Sequence, residues 1–329
     1  MSFPPTNRRV CIAHLIGLAT ASVDLPADAQ AGFPVKPLKL IVAFPPAGAA
    51  DLSGRLIAQA MSESLGQPVV VENKPGANGA IGADFVAKAS PDGHTLLLID
   101  RGALAISPHI NRSLAYDPLT SFAYVGVASM GPYVLVVDPA LGVKNIPDLI
   151  DLARRQSLSY ASFGPGSLAH YNLEDLAART GIKLHHVPYR GSSAAVQAIV
   201  KKEVALTIAA PPAVLEFVAE GRLQALAVGS ATRLRQLPNV PTVAEAGGMA
   251  DTLLPTYFVL ATPAGTPVEV MRRLNDEMKR AAARPAVTDI LEKNGLVPHS
   301  GSPEEVTAFV RHDVARFGER IRAIGLKVE

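Results

Sequence analysis

Hydrophobic positions along the chain fall into two alternating series. The run Leu38-Lys39-Leu40-Ile41-Val42-Ala43-Phe44 predicts a buried strand, and residues 51–65 then place Leu52, Leu56, Ile57, Ala60 and Leu65 at helical spacing. A strand at 69–71, a helix at 80–89 and a strand at 95–99 continue the series. Apolar strands joined by helices of this length predict right-handed βαβ units and a parallel sheet. A second series opens at Tyr133-Val134-Leu135-Val136-Val137. Strands are predicted at 159–163, 184–189, 204–209 and 223–228, with helices at 146–156, 168–180, 194–201 and 213–220. One more strand at 257–261 and amphipathic helices at 268–283 and 303–324 complete the pattern. Strand-like crossings near 125–137 and 253–261 are expected to link two α/β lobes. No tandem repeat at fixed period and no low-complexity tract is present.

The first thirty residues change the picture. Arg8 and Arg9 precede an apolar run at 10–23, broken by His14 and small polar residues, and Pro26 leads into Ala27-Asp28-Ala29-Gln30-Ala31. This is the layout of a secretory signal peptide over 1–31, with cleavage after Ala29 or Ala31. A frayed N-terminal helix is the plain alternative. The run is too short and interrupted for a membrane span, which needs about 20 apolar residues. The paired arginines also permit twin-arginine export.

Composition narrows the function. The chain has 329 residues, 48% hydrophobic and 18% charged, which fits roughly two globular domains and excludes a disordered or collagen-like chain. With 31 basic against 29 acidic residues there is no electrostatic footprint for nucleic acid. The single cysteine, Cys11, closes no intrachain disulfide and would leave with the signal. A cysteine-free mature chain suits an exported bacterial protein in an oxidising compartment.

Two turns have the design of an anion site. Phe44-Pro45-Pro46-Ala47-Gly48-Ala49-Ala50-Asp51 runs from a strand end into a helix start, where unpaired N–H groups and the helix dipole favour negative charge. The same residues also suit an ordinary βα turn with Asp51 as its cap. The stretch from Ser159 through Ser162, Phe163, Gly164, Pro165, Gly166 and Ser167 to His170 repeats the design. Gly164, Gly166 and Ala169 formally match G-x-G-x-x-A, but Lys183-Leu184-His185-His186-Val187 offers no acid where a dinucleotide site needs one. Dinucleotide binding is therefore disfavoured, and anion capture by the turn N–H groups with Ser162 and Ser167 remains.

Ser167 and His170 invite a nucleophile–base reading, but no G-x-S-x-G elbow is present, and His170 reads better as a pocket or packing residue. His185 and His186 point to opposite faces of a strand and cannot share one metal. No metal site and no cofactor is expected. Asp100 and Arg101 follow the strand at 95–99, where ligands bind in open α/β sheets. Arg101 can pair bidentately with a carboxylate, and Asp100 can meet an ammonium or orient Arg101. A surface ion pair is the alternative.

From about Val35 onward the chain resembles the Bug family of periplasmic solute-binding receptors, which serve tripartite tricarboxylate-type transporters. The matching pieces are Phe44-Pro45-Pro46-Ala47-Gly48 through Asp51 and Arg55, Glu72-Asn73-Lys74-Pro75-Gly76-Ala77-Asn78-Gly79, Pro91-Asp92-Gly93-His94-Thr95 and Tyr116-Asp117-Pro118. Tyr160-Ala161-Ser162, Gly166-Ser167, His170, His186-Val187-Pro188-Tyr189-Arg190-Gly191, Pro238-Asn239-Val240-Pro241-Thr242 and Pro263-Ala264-Gly265-Thr266-Pro267 follow in the same order.

The resemblance implies an α/β, two-lobed periplasmic binding fold of type II-like form with two hinge-crossing strands. Residues 32–131 plus 258–329 would form lobe 1, and 132–257 lobe 2. It implies a non-enzymatic, periplasmic, monomeric receptor that closes over a small mono- or dicarboxylate and hands it to membrane transporter subunits. The expected ligand-binding residues are Phe44, Pro46, Ala47, Gly48, Ala49, Asp51, Arg101, Ser162, Gly166, Ser167, His170, Tyr189 and Gly191. Backbone N–H groups at 47–49 and 166–167 would hold the carboxylate, and Arg101 would read its far end. Few aromatics and that arginine favour an aliphatic dicarboxylate.

The chain departs from the family pattern at Ala47, usually Gly, at Lys201-Lys202-Glu203-Val204-Ala205, usually Gly-Gly-Gln-Val-Asp, and at Tyr257, often Trp. Asp100-Arg101 stands where small or hydroxyl residues are expected. Two rival functions share these residues: a ligand sensor of the same fold, and an esterase built on Ser167 and His170.

Overall fold

Each hydrophobic series builds its own sheet. The computed structural model describes residues 32–249 and 251–326, so the signal segment and both cleavage points lie outside the described residues. The first sheet contains β1 (Leu38–Val42), β2 (Val69–Asn73), β3 (Thr95–Asp100), β4 (Phe122–Gly131), β10 (Thr256–Pro263) and β11 (Val297–Pro298), ordered β11-β4-β10-β3-β1-β2. The second contains β5 (Val134–Val137), β6 (Leu158–Ser162), β7 (Leu184–Pro188), β8 (Leu206–Ala209) and β9 (Gln224–Val228), ordered β7-β6-β8-β5-β9.

Helices α1 (Ala49–Leu65), α2 (Ala80–Ala87), α3 (Arg101–Ala105) and α4 (Ser107–Ile110) follow the first three strands. Helices α5 (Ile146–Arg155), α6 (Leu168–Thr180), α7 (Ser192–Val200) and α8 (Leu215–Ala219) connect the second sheet. The chain closes with α9 (Val268–Ala282), α10 (Pro285–Lys293) and α11 (Pro303–Ile324). Helix α11 starts on a full capping box, in which Ser302 and Glu305 bond each other's backbone N–H and Pro303 occupies the first turn. Its Val306 and Val310 pack into the core of the first sheet, beside Ile99, Val127 and Val259.

The parallel expectation holds for only part of each sheet. Strands β2, β1 and β3 are parallel, as are β7, β6 and β8. Strand β10 is antiparallel to both β3 and β4, and β5 is antiparallel to both β8 and β9. The reason is the crossing itself: β4 runs directly into β5 through residues 132 and 133, and β10 returns to the first sheet against the strands already there.

Helices α3, α4 and α10 were not anticipated. Every residue of α3 is buried, so it shows no polar face and no amphipathic period. The helix expected at 213–220 breaks at Val214, with a short 3-10 turn before it and α8 after it.

Candidate functional site

A cleft of about 950 Å³ opens between the carboxyl ends of the two sheets. Its near wall is formed by Ala43 to Pro46 and Gly48 to Ala50 with the loop from Pro75 to Gly79, and its far wall runs from Pro188 to Ser193. Asp100, Tyr133 and Phe258 also line it.

The near turn is braced from behind. Gly48 is the N-cap of α1 and offers no side-chain bond, so the first amides of α1 start without a side-chain cap. Asp51 is not that cap. Its carboxylate reaches back to accept the Ala47 N–H at 3.1 Å, and also takes bonds from Arg55 Nε at 3.0 Å and Asn73 Nδ2 at 2.8 Å. Asn73 Nδ2 also donates to the Phe44 carbonyl. Burial pushes the Asp51 carboxyl up, but the bonds from Arg55, Asn73 and Ala47 outweigh it and hold the group below the usual carboxylate range. Asp51 thus fixes the turn, in which Ala47 sits at φ +62°, and neither residue reaches the cleft wall.

The far wall carries a second helix start of the same kind. Strand β7 runs through Tyr189 and Arg190 into Gly191, the N-cap of α7, again with no side-chain cap bond. Gly191 has φ +97°, and a Cβ there would meet Pro45 Cγ at 2.9 Å, so glycine alone allows the two walls to approach so closely. A Cβ on Gly48 would lie 3.6 Å from Ser192 Oγ. The N-termini of α1 and α7 therefore face one another across the cleft, each carrying about half a positive charge.

The turn at 162–170 is placed differently from its expected role. Only Phe163, Gly164 and Pro165 of it line the cleft. Ser162 and Ser167 are fully buried and His170 nearly so. Ser167 Oγ caps α6 by accepting the His170 N–H, Gly166 N–H donates to His170 Nδ1, and Ser167 N–H donates to the Gly164 carbonyl. The amides expected to hold a carboxylate are thus already used. Helix α3 covers them: a Cβ on Gly102 would lie 2.8 Å from the Leu168 nitrogen.

The Ser167 hydroxyl bonds the His170 backbone and not its ring. Instead Ser162 Oγ lies 2.6 Å from His186 Nε2, and the His186 ring stacks on His170 at 4.1 Å and on Tyr160 at 5.0 Å. Burial, reinforced by His186, depresses His170 to about 3; burial and His185 depress His186 to about 4. Both rings are neutral at pH 7.

Arg101 also departs from expectation. Its Nε and Nη2 donate to the two carboxylate oxygens of Asp313 in α11, each at 2.8 Å, and Nη1 donates to the Pro255 carbonyl at 2.9 Å. Tyr257 donates its hydroxyl to the same aspartate. Arg101 is absent from the cleft wall because its guanidinium is held by Asp313 and the Pro255 carbonyl in the core beside β10. Of the expected binding residues, Phe44, Pro46, Gly48, Ala49, Tyr189 and Gly191 line the cleft together.

The family model described as the tripartite tricarboxylate transporter family receptor matches residues 54–326. The chain belongs to that family. Protein BugT of Bordetella pertussis is 36% identical over 317 residues, covering 95% of this receptor and 97% of the relative. Among solved structures, an R. palustris protein with adipate is similar with 32% identity and a TM-score of 0.85, covering 90% of this receptor and 99% of that chain. MatC from Rhodopseudomonas palustris with bound malate is 27% identical with a TM-score of 0.80, covering 87% and 99%. The two-lobed architecture expected from the two hydrophobic series is shared with the periplasmic binding protein BugD, 28% identical with a TM-score of 0.84, covering 90% of this receptor and 100% of that chain.

Several residues of this receptor's cleft escaped the sequence reading. Ser192 and Ser193 belong to a strand–glycine–helix turn with the same design as 44–51, but the helix was expected to begin two residues late, at 194. Asn78 and Ser107 bond each other at 3.0 Å in the cleft wall; Asn78-Gly79 is a turn signal, but the left-handed backbone at Ala77 beside it is not one that an alanine announces.

Proposed function

We propose that this receptor is exported to the periplasm, where it captures a small organic carboxylate between its two lobes and delivers it to the membrane subunits of a tripartite tricarboxylate-type transporter, without catalysing a reaction. The observation that carries the reading is the opposition of the α1 and α7 N-termini across one cleft, neither capped by a side chain. Two helix starts converging on one cleft supply N–H donors and positive potential from both sides, which a carboxylate can bridge. Direct and water-mediated bonds serve equally well in such a site.

The lobes are taken as 32–131 plus 258–329 and 132–257, a division supported by the sheet membership of β4, β5 and β10. Closure is then a hinge motion at the crossings, with Pro45 and Gly191 as the lips that meet. The binding residues are taken to be Phe44, Pro46, Gly48 and Ala49 on one side and Tyr189, Gly191 and Ser192 on the other. Related chains solved with adipate and with malate support a carboxylate ligand.

The test is thermal unfolding of the mature, monomeric protein against carboxylates and their neutral amides. A ligand at about 100 times its dissociation constant adds about 2.7 kcal/mol, a shift of roughly a few degrees. Shifts confined to acids are the expected result. Equal shifts with the amides, or none with any acid after refolding to strip bound ligand, would overturn the reading.

A further inference from the structure

Asp100 is a charge without a counter-charge. It ends β3, opposite Phe258 of β10 in the ladder, and lines the cleft while only 4% exposed. Its Oδ1 accepts the Ala103 N–H at 2.9 Å, capping α3. Among the described residues no Lys, Arg or His forms an ion pair with it. The neighbouring guanidinium of Arg101, the obvious partner, is committed to Asp313 on the other side of the strand end. The cleft's other charged side chain, Arg190, is exposed on the opposite wall.

A cap alone does not require this charge. Ser or Asn caps a helix as well as Asp does, whereas a buried, unpaired carboxylate is costly. Burial accordingly lifts the Asp100 carboxyl to about 6, in spite of the N–H groups of Ala103 and Gly102. The surroundings also suit a cation, since Tyr133 and Phe258 line the cleft with Asp100 and their ring faces attract positive charge.

We infer that the ligand carries a cationic nitrogen as well as a carboxylate, and that Asp100 receives the nitrogen while the helix starts of α1 and α7 receive the carboxylate. The inference rests on the receptor reading above and narrows it to amino-acid-like zwitterions. It also replaces the expectation of an aliphatic dicarboxylate, whose second anion would be driven against Asp100.

Calorimetric titration with chain-matched probes tests this: succinate against γ-aminobutanoate, glutarate against δ-aminopentanoate, adipate against ε-aminohexanoate, with L-aspartate and L-glutamate added. In the wild type at least one amino acid should bind at least about tenfold tighter than the dicarboxylate of equal length, the scale of a charged hydrogen bond. Asp100→Asn and Asp100→Ser both keep a helix cap, so both are expected to fold; each should lose at least about tenfold for that amino acid and hold or gain affinity for the dicarboxylate. If dicarboxylates bind and the amino acids bind no tighter, or if the variants lose nothing, the inference falls and the receptor reading stands. If none of these acids binds, both fall.

Discussion

Asp100 and Arg101 are consecutive, yet their charged ends go to opposite places. Asp100 belongs to the cleft wall, and the guanidinium of Arg101 reaches into the core to meet Asp313 through two bonds of 2.8 Å. Asp100 caps α3 through the Ala103 N–H, while Arg101, the first residue of that helix, is held by Asp313, so the pair does not act as one clamp. The split decides what the protein offers its ligand: an anion at the wall, with the adjacent cation spent on tying α11 to β3 and β10.

That tie is expected to dominate local stability. Asp313→Asn leaves Arg101 buried beside a neutral group and should cost about 3–5 kcal/mol in guanidinium-induced unfolding. The double variant Arg101→Met with Asp313→Leu should recover part of the loss, because it buries no charge. A single-variant loss below about 1 kcal/mol would show that the pair is not structurally important.

Asp100 should work in the opposite direction. Its folded carboxyl lies near 6, above the unfolded value, so the native state holds the extra proton between about pH 4 and 6. Stability from this group is present below that window and lost as pH rises through it. Asp100→Asn is therefore expected to stabilise the unliganded protein at pH 7 by roughly 1–3 kcal/mol and to leave it unchanged below pH 4. A destabilised variant at pH 7 would contradict the buried-charge description.

The histidine stack carries the reverse sign. His170 and His186 are depressed to about 3 and about 4, so the unfolded chain takes up protons first as pH falls below about 6.5. Stability present above that pH is lost as the solution is acidified towards 4. His170 contributes up to about 1.4 kcal/mol per pH unit in that window. The difference in stability between wild type and His170→Asn, measured from pH 7 to 4, isolates this slope. A flat difference would mean the ring is already charged or exposed.

Ala47 holds a left-handed backbone at φ +62°, a conformation costing about 1 kcal/mol for a residue with a Cβ. Ala47→Gly relieves that strain but loosens the unfolded chain, so denaturation should show a gain of at most about 1 kcal/mol. A marked loss would imply that the methyl group packs against something essential.

The legible part of the fold was the part written in periodicity. Strands β1, β3 and β6 follow from short apolar runs that end up buried on both faces, and helices α9 and α11 from apolar spacing in which one face is buried and the other exposed. Helix α3 did not follow, since it is buried all round, and neither did the antiparallel sense of β5 and β10, which chain crossing imposes rather than local pattern. At the site, the turn at 44–51 was readable as a strand–glycine–helix start. The turn at 162–170 was equally readable, but nothing local reveals that α3 and Gly102 press against it. The partner of Arg101 lies 212 residues away, beyond the reach of any motif.

The measurement that separates the two helix starts of the second lobe is the affinity of one carboxylate for two variants. Taking the acid with the largest thermal shift, calorimetry on Gly191→Val and Ser167→Ala should show binding abolished in the first, where a side chain would strike Pro45 at the mouth of α7. The second should keep near wild-type affinity while losing about 1 kcal/mol of stability with its helix cap. Binding retained by Gly191→Val and lost by Ser167→Ala would move the carboxylate from α7 to α6 and contradict the opposition of α1 and α7 as the site.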